Sequence, residues 1–121
     1  MPSRETVQRF IALVESNDHV RAIEDFYTED ASMQENTAPP RVGRDVLVAH
    51  EKAALARVTS VHTHIVETFF VDGDKVAIHW IFDFVLPDGR TRRIDEMALQ
   101  TWRGDRIAVE RFFYDPSIFR D

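Results

Sequence analysis

The sequence predicts an α+β domain, and two observations carry that prediction. Apolar residues in the first half recur at the 3.6-residue period of helices, whereas those in the second half alternate with period two. Asp72-Gly73, Pro87-Asp88-Gly89 and Arg103-Gly104-Asp105 then cut the second half into segments with tight-turn chemistry. Val7, Phe10, Ile11 and Val14 form the stripe of a first helix over residues 4–16, with Ser3 as N-cap. Asn17 and Asp18 can end it and cap a second helix, whose stripe is Ala22, Ile23, Phe26 and Tyr27 and which should stop near Thr28. A third helix follows Gly43-Arg44-Asp45, with Val46, Leu47, His50 and Ala54 on one side, and fades near Arg57. Between the second and third helices, residues 31–36 run into Pro39-Pro40, which forbids helix and predicts a short edge strand leading into an extended loop.

The β-branched and aromatic residues after residue 60 predict a four-strand antiparallel meander. Along its second strand, Val76, Ile78, Trp80, Phe82, Phe84 and Leu86 share one face, which must be buried; Lys75, Ala77, His79, Ile81, Asp83 and Val85 share the other. Three N-terminal helices covering one side of a long curved, mainly antiparallel sheet would make a cone with a cavity inside. No repeat, low-complexity tract or linker interrupts residues 1–121, so one domain is expected.

Composition narrows the function. With 15 Lys and Arg against 21 Asp and Glu, the net charge of -6 disfavours phosphate neutralisation, so nucleic acid is not an expected partner. Cysteine is absent, which excludes a disulfide framework, a thiolate metal site and a Cys nucleophile. The most apolar stretch, residues 76–86, is broken by His79 and Asp83 and falls short of a membrane span, so no membrane role is expected. The first six residues carry an acid and no apolar run, so they do not read as a secretory signal and a cytoplasmic protein is expected. No Walker A, G-x-G-x-x-G, G-x-S-x-G or H-E-x-x-H string occurs.

Four strings carry a family resemblance: Phe26-Tyr27-Thr28-Glu29-Asp30-Ala31, Pro39-Pro40-Arg41-Val42-Gly43-Arg44-Asp45, residues 72–80 around the first hairpin, and Gly104-Asp105-Arg106-Ile107 with Phe113-Tyr114-Asp115. In this order and spacing the chain resembles the NTF2-like superfamily, in its SnoaL-like, ketosteroid isomerase and limonene epoxide hydrolase branches. The resemblance implies the cone fold and a homodimer through the outer face of the sheet, while saying little about the reaction. It also implies that Glu35 stands where the isomerases place a general-base aspartate. Phe10 and Ala98 match the positions of the isomerase oxyanion donors, and neither can donate a hydrogen bond. Met33 and Phe112 match positions where the hydrolases place a tyrosine and a water-activating aspartate.

Read on their own chemistry, Glu35, Glu96, Glu110 and His64 are the candidate catalytic groups. A carboxylate at the mouth of an apolar funnel loses hydration and becomes a proton shuttle, although a Glu beside a Pro-Pro loop is most often simply solvated. Alternation puts Glu96 on one face with Ile94, Ala98, Gln100 and Trp102, and groups Glu110 with Phe112 and Tyr114. Either set joins Glu35 in a cavity, where like charges force one acid to stay protonated, or Glu96 and Glu110 form surface pairs with arginines, the commoner arrangement. His62 and His64 share a face and Glu67 points to the other, so no metal site is expected; His64 is then a neutral pocket group or part of a solvated pair. Phe10, Val14, Tyr27, Met33, Trp80, Phe82, Ala98, Gln100, Phe112 and Tyr114 are the candidate ligand-binding residues, against the plain alternative of core packing. Arg90, Arg92 and Arg93 read as a solvated turn or a salt-bridge rim. The expected function is cofactor-free proton transfer on a small, largely apolar carbonyl compound, of the polyketide cyclase or isomerase type. A non-catalytic binding or dimerisation domain and, more weakly, epoxide hydrolysis are the alternatives. In place of the missing donors, an enolate would use Gln100, Tyr114, His64 or a protonated Glu96.

Overall fold

A computed structural model describes residues 1–119; the last two residues of the expected domain lie outside the described residues. The chain runs α1 (Arg4–Glu15), α2 (His19–Phe26), β1 (Tyr27–Glu35), β2 (Arg41–Val42), α3 (Arg44–Ala56), β3 (Ser60–Thr63), β4 (Phe69–Asp72), β5 (Lys75–Val85), β6 (Thr91–Arg103) and β7 (Arg106–Phe113), ending in a 3-10 turn (Pro116–Phe119). It is an α+β fold of three helices on a mixed seven-stranded sheet of order β2-β1-β7-β6-β5-β3, with β4 also paired to β5. Because β1 and β2 precede α3, the helices are not a contiguous N-terminal set.

Helix α1 starts and stops where the local chemistry dictates, whereas Asp18 precedes α2 without the side-chain cap expected of it. The Ser3 hydroxyl accepts the Thr6 amide at 3.0 Å, and Asn17, at φ 66°, breaks α1 in a left-handed conformation that asparagine tolerates. The stripe of α1 is buried as expected; of that of α2, Ala22 and Ile23 are buried, Phe26 is half-buried and Tyr27 already belongs to β1. Val7, Phe10, Ile11, Val14, Ala22 and Ile23 join one core with Trp80, Trp102 and Ile107. Phe10 stands at its centre, edge-on to Phe26, Tyr27, Trp80 and Trp102. In α3 the inward stripe is rotated from the expected one. Leu47 is buried and Val46 is half-exposed, so His50, Glu51 and Ala54 follow Leu47 onto the inner side.

The sheet departs from a simple meander in three ways. The segment after residue 60 is split: β3 pairs with Phe82–Val85 of β5 and β4 with Lys75–Ile78, two short strands on one edge of a long one. β1 is a nine-residue interior strand, not a short edge strand. It pairs antiparallel with β2 and parallel with β7, the single parallel pairing among the described residues. A bulge also lies in the β6–β7 pairing, where Trp102 faces Ile107 and Thr101 faces Val109, so Ala108 is the extra residue. It changes the phase of β7, so that Ile107 before it and Glu110 and Phe112 after it all turn to the core side. On β5, Val76, Ile78 and Trp80 are buried, as the alternation requires.

Candidate functional site

Helices and sheet enclose a cavity of about 570 Å³. Its walls combine rings from Phe10, Trp80, Phe82, Phe84 and Phe112 with four carboxyl groups, those of Glu35, Glu51, Glu96 and Glu110. Of the residues proposed from the sequence, Phe10, Val14, Tyr27, Met33, Glu35, Trp80, Phe82, Glu96, Glu110, Phe112 and Tyr114 line it together. Three do not. Ala98 and Gln100 point inward but are fully buried behind the wall. His64 lies outside the cavity, because on β3 the inward position belongs to Thr63, and the neighbouring His64 is left to meet Asp83 across the sheet at 2.5 Å.

The surface-pair alternative for Glu96 and Glu110 is overturned, since they are 7% and 1% exposed. Glu110 sits in a buried network. The Tyr27 hydroxyl and the Gln100 amide donate to its two oxygens, and the Trp102 indole N–H donates to Gln100 at 2.9 Å. Burial raises its pKa to about 7, against the lowering effect of those two donors. Gln100, fully buried and engaged by Glu110 and Trp102, does not reach the cavity. Glu96 has no such support. Its Oε2 is buried without a hydrogen-bond partner, and burial first, then the charges of Glu110, Glu35 and Glu51, hold its pKa well above the carboxylate range. All of these causes act in favour of the neutral acid, the form with an O–H to donate.

Glu35 ends β1 beside the turn and lies against Arg41 of β2 at 3.0 Å, with both side chains about one-third exposed. Tyr114 lies near the same carboxylate, and its own pKa rises to about 12 through burial first and then the Glu35 charge. His50, also on the wall, is pushed toward its neutral form by burial and by Arg41. The backbone holds this corner in place. The Asn36 amide donates to the Phe112 carbonyl at 2.8 Å, and the Asn36 side chain accepts the Tyr114 amide at 3.0 Å. The turn arginines divide: Arg90 pairs with Asp88, Arg93 with Asp83, and Arg92 reaches the cavity wall.

Sequence reasoning missed two functional-looking residues, His19 and Glu51. Both were detectable in principle, His19 as the backward extension of the Ala22 and Ile23 stripe and Glu51 one turn after Leu47.

The sequence over residues 7–110 matches the SnoaL-like domain, and the chain belongs to that family. Solved structures share its fold. One from Mesorhizobium loti, described as a SnoaL-like polyketide cyclase [carbohydrate phosphatase], is 24% identical with a TM-score of 0.79, covering 94% of this chain and 100% of that one. A protein of ketosteroid isomerase-like fold from Catenulispora acidiphila, in complex with trimethylamine, is 17% identical with a TM-score of 0.78, over 95% of this chain and 88% of that one. An epoxide hydrolase of the LEH-like type from M. tuberculosis is 13% identical with a TM-score of 0.74, over 92% and 80%. At these identities the likeness is one of fold. Comparison with curated proteins found no match.

Proposed function

We propose that this SnoaL-like protein binds a small, largely apolar carbonyl compound in the cavity and moves a proton on it, with Glu35 as base and Glu96 as hydrogen-bond donor. Glu35 takes a C–H proton alpha to the carbonyl, and the electron pair moves onto the oxygen. The neutral Glu96 carboxyl donates to that oxygen as charge develops there, in the role that neither Phe10 nor Ala98 can fill. In a β,γ-unsaturated ketone the dienolate takes the proton back from Glu35 at the gamma carbon, an isomerisation. In a substrate with a second carbonyl the enolate carbon attacks that carbonyl carbon, closes a ring, and the resulting alkoxide takes the proton from Glu35. The observation that carries this reading is the orphaned Glu96 Oε2: a buried acid without a partner in a ligand-sized cavity that also holds a carboxylate paired to arginine. Two carboxyls in unlike surroundings are the arrangement that separates acid from base.

The test is a thermal-shift screen against hydrophobic ketones, steroids, polyketide-like aromatics and epoxides, followed by turnover of each hit. A ligand at about 100 times its Kd stabilises by roughly 2.7 kcal/mol. Glu35→Gln is expected to keep the fold and the hit while lowering turnover by about two to four orders of magnitude. Full activity in that variant ends the reading. The Arg41 ion pair, which occupies the Glu35 carboxylate, favours a second reading in which the cavity holds a metabolite unchanged, and a tight hit that neither form turns over selects it.

We also propose that the chain pairs with itself through the outer face of the sheet. Met97, Leu99, Val109 and Phe113 expose apolar side chains there, bordered along β6 by Arg93 and Asp95, charges of both signs that a two-fold axis can match.

A further inference from the structure

The helical wall of the cavity holds a second polar pair that the Glu35 and Glu96 chemistry does not use. His19 opens α2 and Glu51 lies on the inner side of α3; both line the cavity, with His19 Nδ1 3.7 Å from Glu51 Oε1. The imidazole is held on two sides. Its ring packs on Phe82 with centroids 5.5 Å apart, and its Nε2 lies 3.1 Å from Thr63 Oγ1. The Thr63 contacts decide the tautomer. Its hydroxyl proton goes to Asn17 Oδ1 at 2.8 Å, an oxygen that also accepts the Thr63 amide at 3.2 Å. A hydroxyl has one proton, so Thr63 Oγ1 can only accept from His19, and Nε2 carries the N–H.

In the neutral ring Nδ1 is then a bare lone pair, and it faces Glu51 across a gap too long for a direct hydrogen bond. Two features favour the neutral ring: burial lowers the His19 pKa against the opposing charge of Asp18, and a position at the start of a helix disfavours a cation. Glu51 is pushed the other way, since burial and the Glu35 charge favour its protonated form. Geometry fixes Nδ1 as an acceptor, and the Glu51 carboxyl beside it is a donor in its protonated form, so the two together meet a group that donates to one and accepts from the other. A group that both donates and accepts a hydrogen bond, and fits between them, is a hydroxyl.

We propose that His19 Nδ1 and the Glu51 carboxyl form a subsite for a hydroxyl group of the ligand, with Thr63 and Asn17 as positioning residues that lock the imidazole tautomer. The ligand class becomes a hydroxylated carbonyl compound, one polar group at the Glu35 and Glu96 end and the other on the helical wall. This rests on the reading of the cavity as the ligand site, and the experiment separates the two.

The probes are tetralone and its ring-hydroxylated isomers, titrated into the full chain by calorimetry, with ¹⁵N shifts of His19 followed in parallel. Wild type is expected to bind at least one hydroxylated isomer about tenfold more tightly than tetralone, the scale of one or two added hydrogen bonds. His19→Phe, which keeps an aromatic ring against Phe82, should abolish that preference, so that tetralone and its hydroxylated isomers bind the variant with like affinity. Thr63→Val should reduce it and mix the two tautomers, a spectroscopic change that a packing role for Thr63 would not produce. Tetralone binding without a hydroxyl preference, or a preference that survives His19→Phe, overturns the subsite and leaves the ligand site standing. A free-protein His19 with its proton on Nδ1 overturns the subsite whatever binds. Failure of every tetralone to bind removes the ligand site and the subsite together.

Discussion

The two faces of strand β6 place acids one residue apart in opposite circumstances. On the outer face Asp95 is exposed and meets His79 at 2.6 Å, while its neighbour across the strands, Asp83, takes two hydrogen bonds from Arg93 and one contact from His64. Those partners hold the Asp83 carboxyl well below the usual range, the Arg93 bonds contributing most. On the inner face Glu96 is buried with an unpaired oxygen, and burial pushes it and Glu110 upward. The outer acids are ordinary stabilised surface charges. The inner ones are kept in a state that costs stability, which is what a site for proton transfer requires.

The largest test of this contrast is the pH dependence of stability. Glu110 has a folded pKa of about 7 against an ordinary value of 4.5. Between those values the unfolded chain releases its proton first, so the folded state binds more protons and stability falls as pH rises. The loss should be on the order of 3 kcal/mol across that window, in urea titrations from about pH 5 to about pH 8. Glu110→Gln should flatten the slope, and a slope equal to that of wild type would contradict the assignment.

A smaller effect is expected at Glu96. Replacing it with Met removes a buried carboxyl that lacks a partner, and should raise stability at neutral pH by about 1–3 kcal/mol. Under the proposed chemistry it should also abolish turnover. A destabilised Glu96→Met protein would mean that the carboxyl is satisfied in solution. The smallest effect on folding belongs to the outer face. Leu99→Lys should change monomer stability by no more than about 0.5 kcal/mol, while sedimentation equilibrium shows loss of self-association. An unchanged oligomeric state in that variant counts against pairing through this face.

Much of the fold was legible because it rests on local period. The stripes of α1 and α2 and the buried face of β5 read directly from spacing, since one face of each element has to leave water. Glu35, Glu96 and Glu110 were legible as a cavity set, although the burial of Glu96 and Glu110 was not, because surface pairing and burial leave the same alternation in a strand. His64 was misplaced for a related reason: period two says which residues share a face, but not which face turns inward. Glu51 and His19 escaped because a charged residue on a helical stripe reads as the edge of the stripe until another helix is packed against it.

The sequence by itself determined the class of fold, the helices near the start, the long hairpin strands and the family, because each depends on neighbours a few residues apart or on short strings in order. Tertiary structure alone decided that β1 lies parallel against β7, that the bulge at Ala108 turns Glu110 inward, and that His19 meets Thr63 and Glu51. The physical reason is separation. Tyr27 and Glu110 lie 83 positions apart, and no local period encodes which distant partner will take away the water from a carboxyl group. That desolvation sets the protonation states on which the proposed chemistry depends.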